Sequence, residues 1–295
     1  MKLILYKDRG HFKNYAAIQR MCKASNIEFE FTDNEERLKQ DNYDILYSFA
    51  HYVNPDIIPS KIKIIFGPHA FVFPTKDSPF VGIKQPEHNR VTYNCLSPWL
   101  IDLFHEHVDS MKFKLTPLPF AIDTDRFCPG DSKDLDCIVY IKHRSNTDRA
   151  TLQKILDTSG LKYETIVYGS YNEEQYINLL HKAKFMIVLD AHESQGFALQ
   201  EAMSCNVPLL VIDATSMYDE YPNGYYQEYA RYRPLALKAT SVPYWSEECG
   251  LKTTLDELPE KIKQMKESWS TFTPRNFILR ELSDTTCMNR ILTFT

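Results

Sequence analysis

The sequence predicts an α/β protein built from two doubly wound parallel sheets. Two observations carry that expectation. Short apolar runs alternate with amphipathic stretches along the chain, which is the order of a βαβ series. A polar stretch with Pro and Gly, ending near Asp131, interrupts the series, and a second one starts beyond it. The 295 residues suffice for two moderate domains.

The first series is read in order. Leu3 to Tyr6 is a short strand, and the polar loop Lys7 to Asn14 leads into a helix from Tyr15 to Ala24. Glu28 to Phe31 alternates as a half-buried strand does. Asp44 to Phe49 and Ile62 to Phe66 are the apolar runs of parallel strands covered on both faces, and Val91 to Leu96 is another. Pro98 to His107 is a helix, with Ser97 as N-cap and Pro98 at the first helical position. Lys114 to Phe120 holds the last strand of this half. Open parallel sheets bind ligands beyond the carboxyl ends of their strands. His69 and, more weakly, His51 fall in such loops. A His there can hydrogen-bond a ligand hydroxyl or merely satisfy backbone groups. The loop Lys7-Asp8-Arg9-Gly10-His11 reads first as surface and second as a ligand contact at that edge.

In the second series Asp136 to Ile141 is a strand, and Lys142 and Arg144 emerge at its carboxyl edge, with Arg149 in reserve. Arg can grip phosphate as a fork and Lys as a point charge; the same residues also read as a solvated basic turn. Thr147 to Thr158 is a helix and Thr165 to Tyr168 a strand, with Gly169 and Ser170 opening the next loop. Asn172 caps a helix reaching Ala183. Phe185 to Leu189 is a buried strand, and Asp190 to Gln195 is a polar turn. From Gly196 the spacing is helical, with Phe197, Leu199, Ala202 and Met203 facing inward. Asn206 ends that helix, and Val207 to Ile212 is the next strand, parallel to the last if the crossover is right-handed. Beyond the Tyr-rich stretch Tyr218 to Tyr232, the readings are a late strand from Ala239 to Trp245, a helix from Leu255 to Trp269, and another from Pro274 to Leu292.

The chemistry gathers around Glu193 and Glu201. Free N–H groups at a helix start suit an anion or hydroxyl acceptors. Gly196 keeps no side chain between that backbone and a ligand. Glu201 can accept two hydroxyl hydrogen bonds, as a ribose diol offers. Taken only as a pair, the two glutamates also read as solvated helix charges.

The whole phrase narrows the choice. E-S-x-G-F-A-L-x-E-A-M-S-C from Glu193 to Cys205, then Asn206-Val207-Pro208 and a strand, resembles the donor-binding signature of retaining GT-B glycosyltransferases of the large family 4, the glycosyl transferases group 1. Their pattern is two glutamates with seven residues between, then E-A-M-A-x-G-x-P-V. The sequence departs at Ser204, usually Ala, and at Asn206, usually Gly. Asn tolerates the left-handed conformation Gly would supply there. Pro119 to Asp131 is similar to the family's interdomain segment at Asp123, Phe127 and Pro129, with Phe120-Ala121 in place of its Asn-Gly. The usual G-R followed by K-G is missing its Gly, and here the Lys comes first.

The resemblance implies a GT-B fold, two Rossmann-like domains facing across a cleft. Residues 1–125 would form the acceptor domain, 126–275 the donor domain, and 276–295 a helix crossing back to the first. It implies a hexosyltransferase that moves a hexose from a nucleotide diphosphate sugar, such as a UDP- or GDP-sugar, to an acceptor hydroxyl with retention, without cofactor or metal. Lys142 and Arg144 would stabilise the departing diphosphate. Glu193 and the backbone of Ser194, Gln195, Gly196, Phe197 and Ala198 would hold sugar hydroxyls, Glu201 the ribose, and His69 the sugar from the other domain. Gly169, with Tyr168 and Ser170, would lie near the base. The acceptor would be a glycan, a lipid-linked molecule or a small molecule. No carboxylate nucleophile for double displacement is evident.

Composition bounds the alternatives. A net charge of −5 argues against a general nucleic-acid binder. Seven scattered Cys without C-x-x-C read as reduced thiols of a cytoplasmic protein. No signal peptide or membrane span is expected, and a peripheral membrane contact stays open. Two competing readings remain. Asp123-Thr124-Asp125 forms a D-x-D that could hold a divalent metal in a GT-A-like enzyme, and a sugar-nucleotide binder without turnover would carry the same binding residues.

Overall fold

The computed structural model describes residues 1–6, 10–68, 90–107, 114–216 and 238–294. The chain divides into two compact units, Met1–Ala121 with Leu282–Thr295, and Ile122–Glu281. Each is a parallel sheet packed by helices, as the alternation predicts.

In the first unit the described strands are β1 (Lys2–Tyr6), β2 (Glu28–Thr32), β3 (Ile45–Ser48), β4 (Lys63–Phe66), β5 (Val91–Asn94) and β6 (Lys114–Thr116). They lie in the order β2-β1-β3-β4-β5-β6, each pairing parallel. The helices between them are α1 (Phe12–Ala24), α2 (Glu35–Leu38) and α3 (Pro98–His107). α1 begins at Phe12, earlier than the apolar spacing suggests. Its cap is His11, whose Nδ1 accepts from Lys13 N at 3.3 Å, a role for which Ser, Thr, Asp and Asn are the usual signals.

The second unit has β7 (Leu135–Ile141), β8 (Tyr163–Val167), β9 (Ala183–Leu189), β10 (Leu209–Ile212) and β11 (Gly250–Thr253), in the order β11-β10-β9-β7-β8 and again parallel. Its helices are α4 (Asn146–Ser159), α5 (Glu173–Lys182), α6 (Phe197–Ser204), α7 (Leu258–Ser268) and α8 (Pro274–Glu281). β9 is central and apolar because helices cover both of its faces. Phe185, Ile187 and Leu189 pack in one buried cluster with Val139, Leu152, Leu156, Leu210, Leu258 and Ile262.

The strand order fixes where a ligand would go. β7 opens the second series, yet β8 lies on one side of it and β9 on the other. The connections therefore leave in opposite directions from the carboxyl ends of β7 and β9. That divergence is the crevice where doubly wound sheets bind ligands. Ile141 pairs with Leu189, so Lys142 and Asp190 leave the sheet side by side.

The C-terminal end of α6 accounts for both departures from the family pattern. Ser204 Oγ donates to Phe127 O at 2.6 Å, which ties the helix to the junction segment. Asn206 adopts φ 57°, the left-handed conformation expected of it, and its Oδ1 accepts from Arg275 N at 3.3 Å. Arg275 Nη1 donates to Ser204 O at 2.6 Å and Phe127 O at 3.1 Å, and Nη2 to Thr124 O at 3.2 Å. A cation on the last carbonyls of a helix also suits its dipole.

Three readings of the elements need correction. The late strand is Gly250–Thr253, not Ala239 to Trp245. Thr240 and Ser241 instead spend their donors on Asp213, through Thr240 Oγ1 at 3.0 Å and Ser241 N at 2.7 Å. The strand start needs Gly250: its φ is 136°, and a Cβ there would meet Leu209 O at 2.0 Å. The strand after Lys114 ends at Thr116, before Pro117 removes a donor. The terminal helix is two, α8 and α9 (Asp284–Phe294), with Leu282 and Ser283 between them. α9 belongs to the first unit, where Asp284 faces Arg20 at 3.5 Å and Cys287, Met288 and Ile291 are buried.

Candidate functional site

The site is built from the two loops at the crevice. After β7 the chain runs Lys142-His143-Arg144, and Ser145 caps α4 by accepting from Asp148 N at 3.0 Å. His143 has φ 47°, and this left-handed residue turns its neighbours apart. Lys142 reaches the second loop and Arg144 goes inward. Lys142 Nζ forms an ion pair with Glu193 Oε1 and lies 4.6 Å from the centre of the Tyr168 ring. The two side chains keep only 12% and 16% of their exposure, so the pair sits at the rim of the buried region. Burial works against the Lys142 charge, but the Glu193 carboxylate outweighs it and raises the lysine above its ordinary range. His143 stays neutral near pH 7, because burial and then Lys142 lower its pKa; Arg149 adds to that.

Arg144 does not face solvent. It is 5% exposed. Nη1 donates to Asp190 O at 3.0 Å and to Ile212 O at 3.4 Å, and Nε to Asp148 Oδ2 at 3.1 Å. It ties the ends of β9 and β10 to the start of α4. This departs from the phosphate-gripping role expected of it. The left-handed turn at His143 precedes Arg144, whose bonds to Asp190 O, Ile212 O and Asp148 hold the guanidinium at the sheet edge.

The second loop is held from behind. Glu193 N donates to Thr240 O at 3.0 Å, and Ser241 Oγ donates to Asp190 O at 3.1 Å. Asp213, at the end of β10, holds Thr240 and Ser241 in place, and Lys252 Nζ donates to its Oδ2 at 2.7 Å. Gln195 and Gln200 are buried and bond each other, Gln195 Nε2 to Gln200 Oε1 at 3.1 Å and Gln200 Nε2 to Gln195 O at 2.6 Å. Gly196 begins α6 at φ 84° with no side-chain cap on the first turn. The opening turn, Phe197 and Ala198, is separated from Glu193-Ser194 by Gln195 and Gly196 only.

Beneath this rim lies a polar cluster that the sequence did not announce. Asp190 is fully buried, and burial followed by Glu193 pushes its carboxyl well above the usual range. Tyr140, on β7, is buried too and hydrogen-bonds Tyr171. Burial, and then the Glu201 charge, raise the Tyr171 hydroxyl to about 12. Glu201 is 3% exposed, so the two signature glutamates differ: Glu193 stands at the rim and Glu201 below it. His192 is held neutral by burial, its pKa down to about 3. Asp190 had one legible signal, a charged residue directly after an apolar strand; Tyr140 and the Thr240-Ser241 buttress had none.

Of the remaining candidates, Tyr168 borders the site through Lys142, and the others among the described residues are not brought to it. Tyr168, Gly169 and Ser170 are exposed in the loop after β8, with Gly169 at φ 79°. His51 is exposed, its ring 5.7 Å from that of Tyr6. His69, the loop Lys7 to Arg9 and the stretch Tyr218 to Tyr232 lie outside the described residues. Asp123 serves a turn, Oδ1 accepting from Arg126 N at 3.1 Å. Among the described residues no group of three or more His, Cys, Asp or Glu could hold a metal ion, and no helix is long and apolar enough to cross a membrane.

Comparisons with known proteins point the same way. The model of the family described as glycosyl transferases group 1 matches residues 138–228, which contain both loops of the site. No curated protein matches the sequence. The fold is similar to GT-B glycosyltransferase structures over the whole chain. A sucrose-phosphate synthase from Thermosynechococcus elongatus has a TM-score of 0.57 at 10% identity, with 99% of this chain and 98% of that one covered. Anabaena HepE in complex with UDP has 0.55 at 13% identity, covering 99% and 98%. The apo lipopolysaccharide outer core galactosyltransferase WaaB has 0.53 at 11%, covering 100% and 99%. At such low identity these structural likenesses show the fold alone, which is GT-B with two Rossmann-like units.

Proposed function

We propose that the chain is a retaining GT-B glycosyltransferase that transfers a hexose from a nucleotide diphosphate sugar to an acceptor hydroxyl without a metal ion. One observation carries the reading: Lys142 and Glu193, 51 residues apart, meet at the carboxyl-end crevice between β7 and β9. A cation beside an acceptor carboxylate, next to an uncapped helix start, suits a ligand with a diphosphate at one end and hydroxyls at the other. Lys142 would neutralise charge growing on the leaving diphosphate, which is where electrostatic stabilisation acts in group transfer. Glu193 would accept sugar hydroxyls, and the backbone N–H groups of the first turn of α6 would face the phosphates. Arg144 would act indirectly, by fixing both loops. Because HepE is described with UDP, UDP-glucose is the first donor to test, beside GDP-mannose and ADP-glucose.

The burial of Arg144 favours a second reading, a sugar-nucleotide binder without turnover. Lys142 is then the cation that the described residues place at the rim beside Glu193 to balance a diphosphate. Isothermal titration with the three sugar nucleotides tests the shared premise, and no binding by any of them refutes both readings. Donor turnover, with the anomeric configuration of the product read by NMR and the rate compared with and without EDTA, separates the two and tests retention and metal independence.

A further inference from the structure

Asp190 has no assigned role in the site described above, yet it is the most enclosed acid there. Its side chain is fully buried. Oδ1 accepts from Ala191 N at 2.7 Å, whereas Oδ2 is buried with no conventional donor among the described residues. The Glu193 carboxylate is within hydrogen-bonding reach of it. Two ionised carboxylates offer only acceptors to each other, so one of the pair must hold a proton for the contact to be stable. Glu193 is the member of the pair that is ion-paired with Lys142 at the rim, whereas Asp190 is fully buried. Lys142 favours the charged form of Asp190 but is ion-paired with Glu193, Arg144 bonds only the Asp190 backbone carbonyl, and Tyr140 and the neutral His192 are the other titratable groups near it.

We propose that Asp190 carries a proton in the folded protein and donates it as a hydrogen bond to Glu193, which makes Asp190 a positioning residue for the acceptor carboxylate of the site. The bond fixes which edge of Glu193 is turned to the rim, where Lys142 and the sugar hydroxyls would compete for it. Burial of Asp190 supports the assignment by disfavouring its charged form. The use of Glu193 on a sugar rests on the function proposed above; the proton on Asp190 does not.

Two variants divide the outcomes. Asp190→Asn keeps the shape, an acceptor for Ala191 N and a donor for Glu193, but has no proton to lose. Asp190→Ala removes the donor. Infrared spectra at pH 7 should show the carbonyl stretch of one protonated carboxyl group in the wild type that is absent in Asp190→Asn. Denaturant unfolding gives a second reading. The native state keeps a proton that the unfolded chain releases above about pH 4, so wild-type stability should fall against Asp190→Asn by about tenfold in the folding constant per pH unit from there up to the native pKa. Titration with UDP-glucose, GDP-mannose and ADP-glucose should leave affinity for Asp190→Asn within about threefold of wild type and weaken it at least tenfold in Asp190→Ala, the loss of one hydrogen bond to a charged group. Absence of the infrared band, or a flat or opposite pH slope, overturns the proton on Asp190. Failure of the wild type to bind any of the three sugar nucleotides instead sinks the proposed function and leaves the proton to be judged by the band and the slope.

Discussion

Replacing Arg144 by Met separates a scaffold residue from a ligand residue. The side chain is 6% exposed, and its three hydrogen bonds differ in worth. The bond to Asp190 O, at 3.0 Å and buried, contributes about 1.5 kcal/mol, as one from a charged donor does. The bond to Ile212 O is long at 3.4 Å and adds roughly 0.5 kcal/mol. Asp148 is 26% exposed, so that ion pair adds about 0.5 kcal/mol. Asp190 O keeps Ser241 Oγ as a donor after the change, which limits the damage, and Met retains much of the aliphatic packing. The sum is about 2–3 kcal/mol, a fall of roughly 4–12 °C in the melting of this unit. Calorimetry and denaturant unfolding measure it, and titration with UDP-glucose, GDP-mannose and ADP-glucose is run beside them at a temperature where the variant is folded. The reasoning fails if stability is unchanged while sugar-nucleotide affinity drops tenfold, because Arg144 would then be gripping the diphosphate.

Further outcomes follow from other contacts. Lys142→Met should weaken sugar-nucleotide binding at least tenfold in the same titration and flatten its salt dependence, since the cation paired with Glu193 at the rim is lost. Gly196→Ala should cost about 1–2 kcal/mol in denaturant unfolding from the left-handed φ of 84°, although the added Cβ finds room, its nearest contact being Glu193 Cβ at 3.6 Å. Asn206→Ala should lose about 1 kcal/mol, while Asn206→Gly should lose less, because Gly keeps the conformation but not the bond to Arg275 N. In the native protein Ellman's reagent should titrate Cys128 first; Cys22, Cys205 and Cys287 are buried with thiols pushed up to about 12 and should react only on unfolding.

What could be read from residues alone has a pattern. Strands such as β9 were legible because burial on both faces leaves an unbroken apolar run, and α6 because its inward positions recur at helical spacing. The left-handed residue at Asn206 was legible because few residues tolerate that conformation. The meeting of Lys142 with Glu193 was legible in part: each follows a strand, and parallel sheets gather such loops at one edge. The direction of Arg144 was not, since it depends on φ at His143, a residue type with no strong preference for φ 47°. Nor was the buttress of Thr240 and Ser241 on Asp213, which joins residues distant in sequence through hydroxyl and amide groups of ordinary type.

The charge arrangement at the crevice has a consequence for how a donor would bind. Without ligand, Lys142 and Glu193 satisfy each other. A diphosphate that draws Lys142 toward itself leaves Glu193 without its cation, in a place where only 16% of its side chain is exposed. A partly buried charge losing its partner is costly, and nucleotide diphosphate alone offers nothing to replace it. A sugar nucleotide does, because its hexose hydroxyls can donate to Glu193 while its phosphates hold Lys142. The two ends of the donor are then coupled through one ion pair, and the intact sugar nucleotide should bind more tightly than the corresponding nucleotide diphosphate. Glu193→Gln removes the charge that is stranded, so in that variant the nucleotide diphosphate should gain affinity while the sugar nucleotide loses its advantage.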